Sequence, residues 1–190
     1  MENLKAHPDK QFSPSKLAKL ILCLAYVAGP LSDEERLKFL GFHARAALKV
    51  IGSYLKRGWI LVAVEGTGNG FRIDLLFRHP TSGIVRLVEV KTAKKIREVF
   101  KIQAALYFSL SGAGETAVSN GVTEEVLTLA FIERTLTQAK KTLQLLNCNP
   151  LVAARTFTPH PDACDTCGNK TCPFLRDRPG FPAKKGGGQA

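Results

Sequence analysis

Several features are absent or scarce in this chain of 190 residues. The apolar run around Cys23 is too short for a membrane-spanning helix and begins too late for a good signal peptide. We therefore expect a cytoplasmic protein with no membrane partner. No GxxxxGK[ST] loop occurs, which argues against an ATP-driven helicase. Acidic residues number 16 against 27 lysines and arginines, and the net charge of +11 favours an anionic partner such as nucleic acid.

Cysteine is sparse until the end of the chain, where Cys164, Cys167 and Cys172 follow one another closely. In a reducing compartment, clustered cysteines bind metal more often than they form disulfides. Three thiolates are one ligand short of four. The candidates for the fourth ligand are Cys23, Cys148 and, if the metal is zinc, His160. The surrounding region is rich in proline and glycine and needs a ligand or a docking surface, while the tail 181–190 is expected to be disordered.

Hydrophobic periodicity and turn residues predict an α/β fold. One helix should start at Ser13 or Ser15 and end at Gly29. A second should run from Ser32, where Glu35 completes a capping-box spacing, to about Arg57. Its apolar positions recur at helical spacing and predict its buried face: Leu37, Leu40, Ala44, Ala47, Leu48, Ile51 and Leu55. A three-strand meander over 59–65, 71–77 and 84–91, a helix over 93–110, a strand over 126–132 and a helix over 134–146 are expected to follow.

Two carboxylates and a lysine interrupt the apolar strands of the meander. Asp74 lies in the second predicted strand, and Glu89 and Lys91 share one face of the third. Hairpin pairing would bring Asp74 beside Glu89. Because such charges are costly in an apolar sheet, a divalent cation, Mg²⁺ or Mn²⁺, would compensate them and activate a water for phosphodiester hydrolysis. Lys91 would stabilise charge on the phosphate or help to deprotonate the water. A plain salt bridge to Lys91 is the simpler alternative.

Residues on two helices extend this pattern. His43 points near the predicted buried face of the second helix. Gln103 and Tyr107 are four residues apart and share one face of the third helix. Basic residues around the start of that helix would contact DNA phosphates: Lys94, Lys95, Arg97 and Lys101.

Taken in order, His43, Asp74, Glu89-Val90-Lys91 and Gln103-Ala-Ala-Leu-Tyr107 resemble the motifs of RecB-like nucleases of the PD-(D/E)xK superfamily. The resemblance implies a restriction-endonuclease-like core with a central mixed sheet flanked by helices. It also implies that His43, Asp74, Glu89 and the Val90 carbonyl ligate the metal, and that Lys91 is the catalytic lysine. Gln103 and Tyr107 would position the DNA strand and the active-site groups.

The cysteines extend the resemblance to the iron–sulfur subgroup of these nucleases, and in particular to its CRISPR-associated members, the fourth Cas protein. The N-terminal pattern from Ser15 to Cys23 is similar to theirs. The resemblance implies a four-iron four-sulfur cluster, with zinc as the alternative, held by Cys23, Cys164, Cys167 and Cys172.

The domain organisation implied is a single nuclease domain over 1–180, with its core at about 32–146 and an iron–sulfur region formed by about 12–30 and 148–178. The function implied is a metal-dependent exonuclease that trims single-stranded or overhanging DNA beside the CRISPR integrase during spacer acquisition. A non-catalytic nucleic-acid-binding module, or a viral or repair nuclease of the same superfamily, is the alternative.

Overall fold

The computed structural model describes residues 13–22, 32–65, 67–68, 71–148 and 160. Within them the chain forms a mixed α/β fold with four helices and a five-stranded sheet. The helices are α1 Pro14–Leu22, α2 Asp33–Lys56, α3 Glu98–Ser111 and α4 Leu129–Cys148. The strands are β1 Ile60–Val64, β2 Thr67–Gly68, β3 Phe71–Arg72, β4 Leu75–Arg78, β5 Val85–Val90, β6 Glu115–Ser119 and β7 Glu124–Val126. Among the described helices, none is both long and apolar enough to span a membrane.

The sheet has the order β1-β4-β5-β6-β7, and β2 pairs with β3 in a separate ribbon. The neighbours are antiparallel except for β5 and β6, which are parallel and joined through α3. Side chains alternate along β5, so Val88 packs with α2 on one face while Leu87 packs with α3 on the other. Helices α1 and α4 cover the outer side of α3. The expected α/β fold, a mixed sheet flanked by helices, is confirmed.

The predicted meander of β1, β4 and β5 is confirmed, but the strand predicted over 126–132 is wrong. Helix α4 begins at Leu129, and the strand that follows α3 is β6, beside β5 in the sheet. A short apolar run does not distinguish a strand from a buried helix, and the parallel partner of β6 is distant in sequence. The third helix also starts at Glu98 and not near residue 93. The second predicted strand is divided into β3 and β4.

The capping box of α2 is confirmed, because Ser32 Oγ accepts from the Glu35 N–H and Glu35 accepts from the Ser32 N–H. The predicted buried face holds in part for Ala47 and Ile51, which pack against the core on the sheet, but it is wrong for the leucines. Leu37 and Leu48 are 70% and 68% exposed, and the fully buried side chains of α2 are Ala46, Val50 and Tyr54. Every described side chain from Glu34 to Phe42 is exposed. The later turns of α2 therefore pack against the sheet, whereas its first turns extend beyond the sheet edge.

Near the start of β5, the cation Arg86 is surrounded by a carboxylate and two aromatic rings. Arg86 donates from Nε to Glu115 on β6 at 2.8 Å, and its guanidinium lies 4.5 Å from the Trp59 ring centroid. The same guanidinium reaches the Tyr54 hydroxyl at 3.4 Å. Burial raises the pKa of Tyr54 to about 12, so this hydroxyl stays neutral. The charge of Arg86 is balanced, and this end of the strand is structural.

The turn between β6 and β7 packs closely against α2. Gly121 has φ +80°, and a Cβ there would lie 2.9 Å from Lys49 Cβ and 3.3 Å from the Ala46 carbonyl oxygen. Gly83 has a similar φ of +69°, but a Cβ there would meet no other atom within 4 Å. Alanine substitutions at the two glycines therefore distinguish the energetic cost of backbone strain from that of steric contact.

We expect Gly121→Ala to lower the free energy of unfolding by roughly 2–5 kcal/mol, from left-handed strain plus overpacking against α2. Gly83→Ala should cost only about 1–2 kcal/mol, from strain alone. Urea denaturation of both variants measures the difference. Equal costs would show that the turn moves away from α2 without penalty.

Candidate active site

The register of β4 and β5 brings the two predicted carboxylates together. Leu75 pairs with Val88 in this antiparallel ladder, so Asp74, directly before β4, lies opposite Glu89. Asp74 Oδ2 accepts a hydrogen bond from the Val90 N–H at 2.8 Å, which fixes its carboxylate at the end of β5. The expected juxtaposition of Asp74 and Glu89 is therefore present.

His43 reaches the same place from α2. Its Nε2 lies 3.5 Å from Asp74 Oδ2, and both side chains are mostly buried. The hydrogen bond to Asp74 raises the pKa of His43 above its ordinary value, against the effect of burial, and the Val90 backbone adds to the rise. His43, Asp74 and the Val90 backbone thus meet between α2 and the end of β5.

Glu89 is the most deeply buried charged group of the site, at 2% exposure. Its Oε1 accepts from Lys91 Nζ at 2.6 Å, but its Oε2 is buried with no hydrogen-bond partner among the described residues. Burial, opposed by Lys91 and assisted by neighbouring Asp74, raises the pKa of Glu89 to about 7. A buried acceptor without a partner is costly, so this atom is suited to a ligand.

Lys91 is held by a chain of hydrogen bonds that crosses three elements. Its Nζ donates to Glu89 and, at 3.0 Å, to Gln103 Oε1 on α3. Gln103 Nε2 donates in turn to Ser15 Oγ on α1 at 2.7 Å. Because Ser15 takes the amide N–H, Gln103 presents its oxygen to the ammonium. The sequence marks Ser15 as a possible helix start and as part of the N-terminal resemblance, but nothing local links it to Lys91.

Tyr107 lies on the same side of α3 as Gln103, as predicted, but it packs in the core. It is 7% exposed in a cluster with Ile73, Leu87 and Ala113. Its ring therefore supports α3 against β5.

The predicted DNA-contacting residues lie largely before α3. Lys94 and Lys95 are exposed in the irregular segment after β5, and Arg97 is the half-buried N-cap residue of α3. Lys101 forms ion pairs with Glu98 at 3.2 Å and Glu125 at 3.4 Å, so its charge is already balanced. Lys94 and Lys95 are the better placed cations for a phosphate chain.

Asn120, which the sequence reasoning did not single out, holds this basic segment. Its side-chain N–H groups donate to the carbonyls of Ala93 and Lys94 at 3.0 and 3.1 Å. Its Oδ1 accepts from the N–H groups of Val122 and Thr123 within its own turn. An Asn-Gly pair is a turn signal, and that was the only signal in the sequence that could have drawn attention to it.

The types of donor near the end of β5, two carboxylates, a carbonyl and an imidazole, are those that suit a hard divalent cation. In the described part of the chain, no three His, Cys, Asp or Glu side chains stand close enough together to form a ready metal-ligand group. Asp74 faces Val90 and His43, while Glu89 faces Lys91. A bound metal would therefore require side-chain rotations that replace the contact between Glu89 and Lys91.

Most of the cysteine prediction lies outside the described residues: Cys23, Cys164, Cys167 and Cys172. Cys148 is the last residue of α4. The His160 N–H donates to the Leu22 carbonyl at 2.8 Å, so His160 lies at the end of α1.

Comparisons with known proteins do not identify a family. No protein-family model matches the chain, and no curated protein matches it. Among solved structures, the chain resembles the SPO1766 protein of unknown function from Silicibacter pomeroyi, with a TM-score of 0.31 and 16% identity. That likeness covers 56% of this chain and 92% of the other. At such a TM-score it carries no conclusion about fold or function.

The buried Glu89 carboxyl predicts a pH-dependent stability in metal-free protein. Its pKa is about 7 when folded and 4.5 when unfolded, so the folded state holds a proton that the unfolded chain releases. This contribution is fully present below pH 4.5 and is lost as the pH rises through about 7. The raised pKa of His43 acts in the same direction at higher pH. We expect Glu89→Gln to flatten the fall in unfolding free energy between about pH 5 and pH 8.

Urea unfolding in EDTA across this range measures the slope. Glu34→Gln is the matched control, because Glu34 pairs with Lys38 on the exposed side of α2. That variant should keep the wild-type slope. Parallel slopes for the wild type and Glu89→Gln would contradict the buried titration.

Proposed function

We propose that this chain is a divalent-metal-dependent DNA nuclease with a PD-(D/E)xK-type core. The observation that carries the proposal is Glu89 Oε2, a buried carboxylate oxygen without a described partner, in a site shared with Asp74 and His43. A salt bridge to Lys91 through Oε1 leaves this second oxygen uncompensated, and burial without compensation is costly. The simpler salt-bridge alternative accounts for Glu89 Oε1 and Lys91 only.

The residues present fit Mg²⁺ or Mn²⁺ through Asp74, Glu89, His43 and the Val90 carbonyl. Such an ion lowers the pKa of a bound water and offsets charge on a scissile phosphate. The chain itself supplies the rest. Lys91, oriented by Gln103, would donate to a phosphate oxygen once its contact with Glu89 is released.

The proposed substrate is single-stranded or overhanging DNA, degraded from an end. The net charge of +11 supports an anionic partner, and the exposed Lys94 and Lys95 lie directly after the site. We also propose, on the resemblance of the motifs alone, that the substrates are prespacers and that the enzyme works beside the CRISPR integrase. A viral or repair role would use the same chemistry.

We further propose a four-iron four-sulfur cluster on Cys23, Cys164, Cys167 and Cys172. The hydrogen bond from His160 to Leu22 supports the choice of Cys23 as the fourth ligand. Consecutive Cα atoms are about 3.8 Å apart, so Cys23 is one such step from Leu22 and Cys164 is four steps from His160. Zinc, with His160 nearby, is the alternative.

We expect Asp74→Asn to abolish Mn²⁺-dependent cleavage of single-stranded DNA, with a loss of at least a hundredfold or so. The amide keeps an acceptor for the Val90 N–H but removes the charge that would hold the metal. Mn²⁺ should also raise the melting temperature of the wild type and not that of Asp74→Asn. Glu34→Gln, an exposed carboxylate change, should behave as the wild type in both assays.

Cleavage that survives in Asp74→Asn would refute the assigned centre. A wild type that binds DNA, gains no stability from Mn²⁺ and cleaves nothing would instead favour the non-catalytic binding module.

The cluster has its own test. Purified protein should be brown and absorb in the visible blue, and Cys23→Ser should lose most of the bound iron, since a cluster needs four thiolates. Cys148→Ser is the matched control and should retain it. Colourless protein that contains zinc would rule out the iron–sulfur assignment.

A further inference from the structure

Helix α2 continues beyond the sheet that it covers. Its sheet-facing row runs back through Tyr54, Val50 and Ala46 to His43 at the acidic centre. One turn earlier, the same row places Phe39, because residues four apart share a helix face. Phe39 is 53% exposed.

The Phe39 ring is joined to the site by a stacking contact. It lies at 6.0 Å from the His43 ring, centroid to centroid, with an interplanar angle of 22°. His43 Nε2 in turn lies 3.5 Å from Asp74 Oδ2. An exposed aromatic side chain therefore stands one residue away from the proposed metal position.

A second exposed ring with a cation accompanies it. Phe42 is 56% exposed, and the Arg45 guanidinium carbon lies 4.9 Å from its ring centroid. Phe39 and Phe42 are three residues apart and so are neighbours on the helix surface. Aromatic rings with an adjacent arginine form the usual surface for unpaired bases, which stack on the rings while the cation attracts the phosphates.

We propose that Phe39, with Phe42 and Arg45 beside it, is a stacking platform for an unpaired nucleobase of the strand whose phosphate enters the acidic centre. The inference rests on the proposed function for its choice of substrate. Two observations favour a nucleic-acid strand over a second copy of this chain. The platform is continuous with the site through His43, and the chain carries a net charge of +11, which opposes self-association.

Leu37 lies on a different side of α2 and provides the control. Its side chain is 70% exposed. Its position is 200° around the helix from Phe39 at ~100° per residue. A change at Leu37 alters exposed apolar surface on α2 without touching the platform.

The test is a binding measurement in EDTA, so that no cleavage occurs. A fluorescein-labelled oligothymidylate is titrated with the full chain and followed by anisotropy. We expect Phe39→Ala to weaken binding about five- to 150-fold, Phe39→Trp to retain it, and Leu37→Ala to bind as the wild type. A strand of equal length made of abasic residues should bind the wild type and Phe39→Ala equally, because it offers no base to stack.

Several results would overturn the proposal. Unchanged affinity in Phe39→Ala would do so, as would a difference from the wild type that persists on the abasic strand. A change in elution volume in Phe39→Ala would assign the surface to a contact between copies. A fall in unfolding midpoint with unchanged DNA affinity would assign it to another segment of the chain itself.

The proposed nuclease and the platform fail separately in this design. If the expected binding pattern appears but no divalent metal gives cleavage, the platform stands and the nuclease is refuted. If the wild type cleaves and Phe39→Ala binds the oligothymidylate as tightly, the reverse holds.

Discussion

The Glu89 carboxyl is buried at the end of β5, the central strand of the sheet, and the hydrogen bonds that surround it compensate part of that burial. A carboxylate in this position is costly unless it is paired and hydrogen-bonded. One of its oxygens is satisfied by Lys91, and Lys91 in turn requires Gln103 on α3 and Ser15 on α1. The contact between α1 and α3 therefore includes a hydrogen bond, from Gln103 to Ser15, that is linked through Lys91 to Glu89 in the sheet. Its apolar part, around Leu17 and Ile102, supplies the packing that keeps this chain of hydrogen bonds in place.

The two ends of β5 differ in how fully their charges are balanced. At its start, Arg86 is matched by Glu115 and stacked on Trp59, so the charge is stably held. At its end, Glu89 keeps one oxygen without a described partner. Proteins tend to tolerate incomplete satisfaction at functional sites and compensate for it elsewhere. Within the six residues of β5, the charge at the start is balanced, whereas the carboxyl at the end, where we propose that metal binds, is not fully hydrogen-bonded.

The sequence was sufficient for features that depend on local geometry. The Asp74–Glu89 pairing follows from hairpin register, and the capping box of α2 from a three-residue spacing. It was not sufficient where the answer depends on distant partners. Strand β6 is separated from its partner β5 by helix α3 along the chain, so its short sequence did not predict the pairing.

The leucines of α2 were predicted to be buried and are exposed, for a related physical reason. Periodicity reports that an apolar stripe exists, but burial depends on where the sheet ends. The leucine stripe is real and exposed, while the face toward the sheet consists of smaller or aromatic side chains such as Ala46 and Tyr54. The link from Ser15 to Lys91 joins residues far apart in the chain, and no local pattern encodes it.

The turn held by Asn120 has a consequence for how the chain tolerates changes in length. Surface turns usually accept inserted residues, because little depends on their exact span. Here the turn lies against Lys49 of α2 while Asn120 fastens the segment that carries Lys94. An added residue would release either the helix or the lysine segment. Among the described turns, this one has a length that the neighbouring structure fixes on two sides.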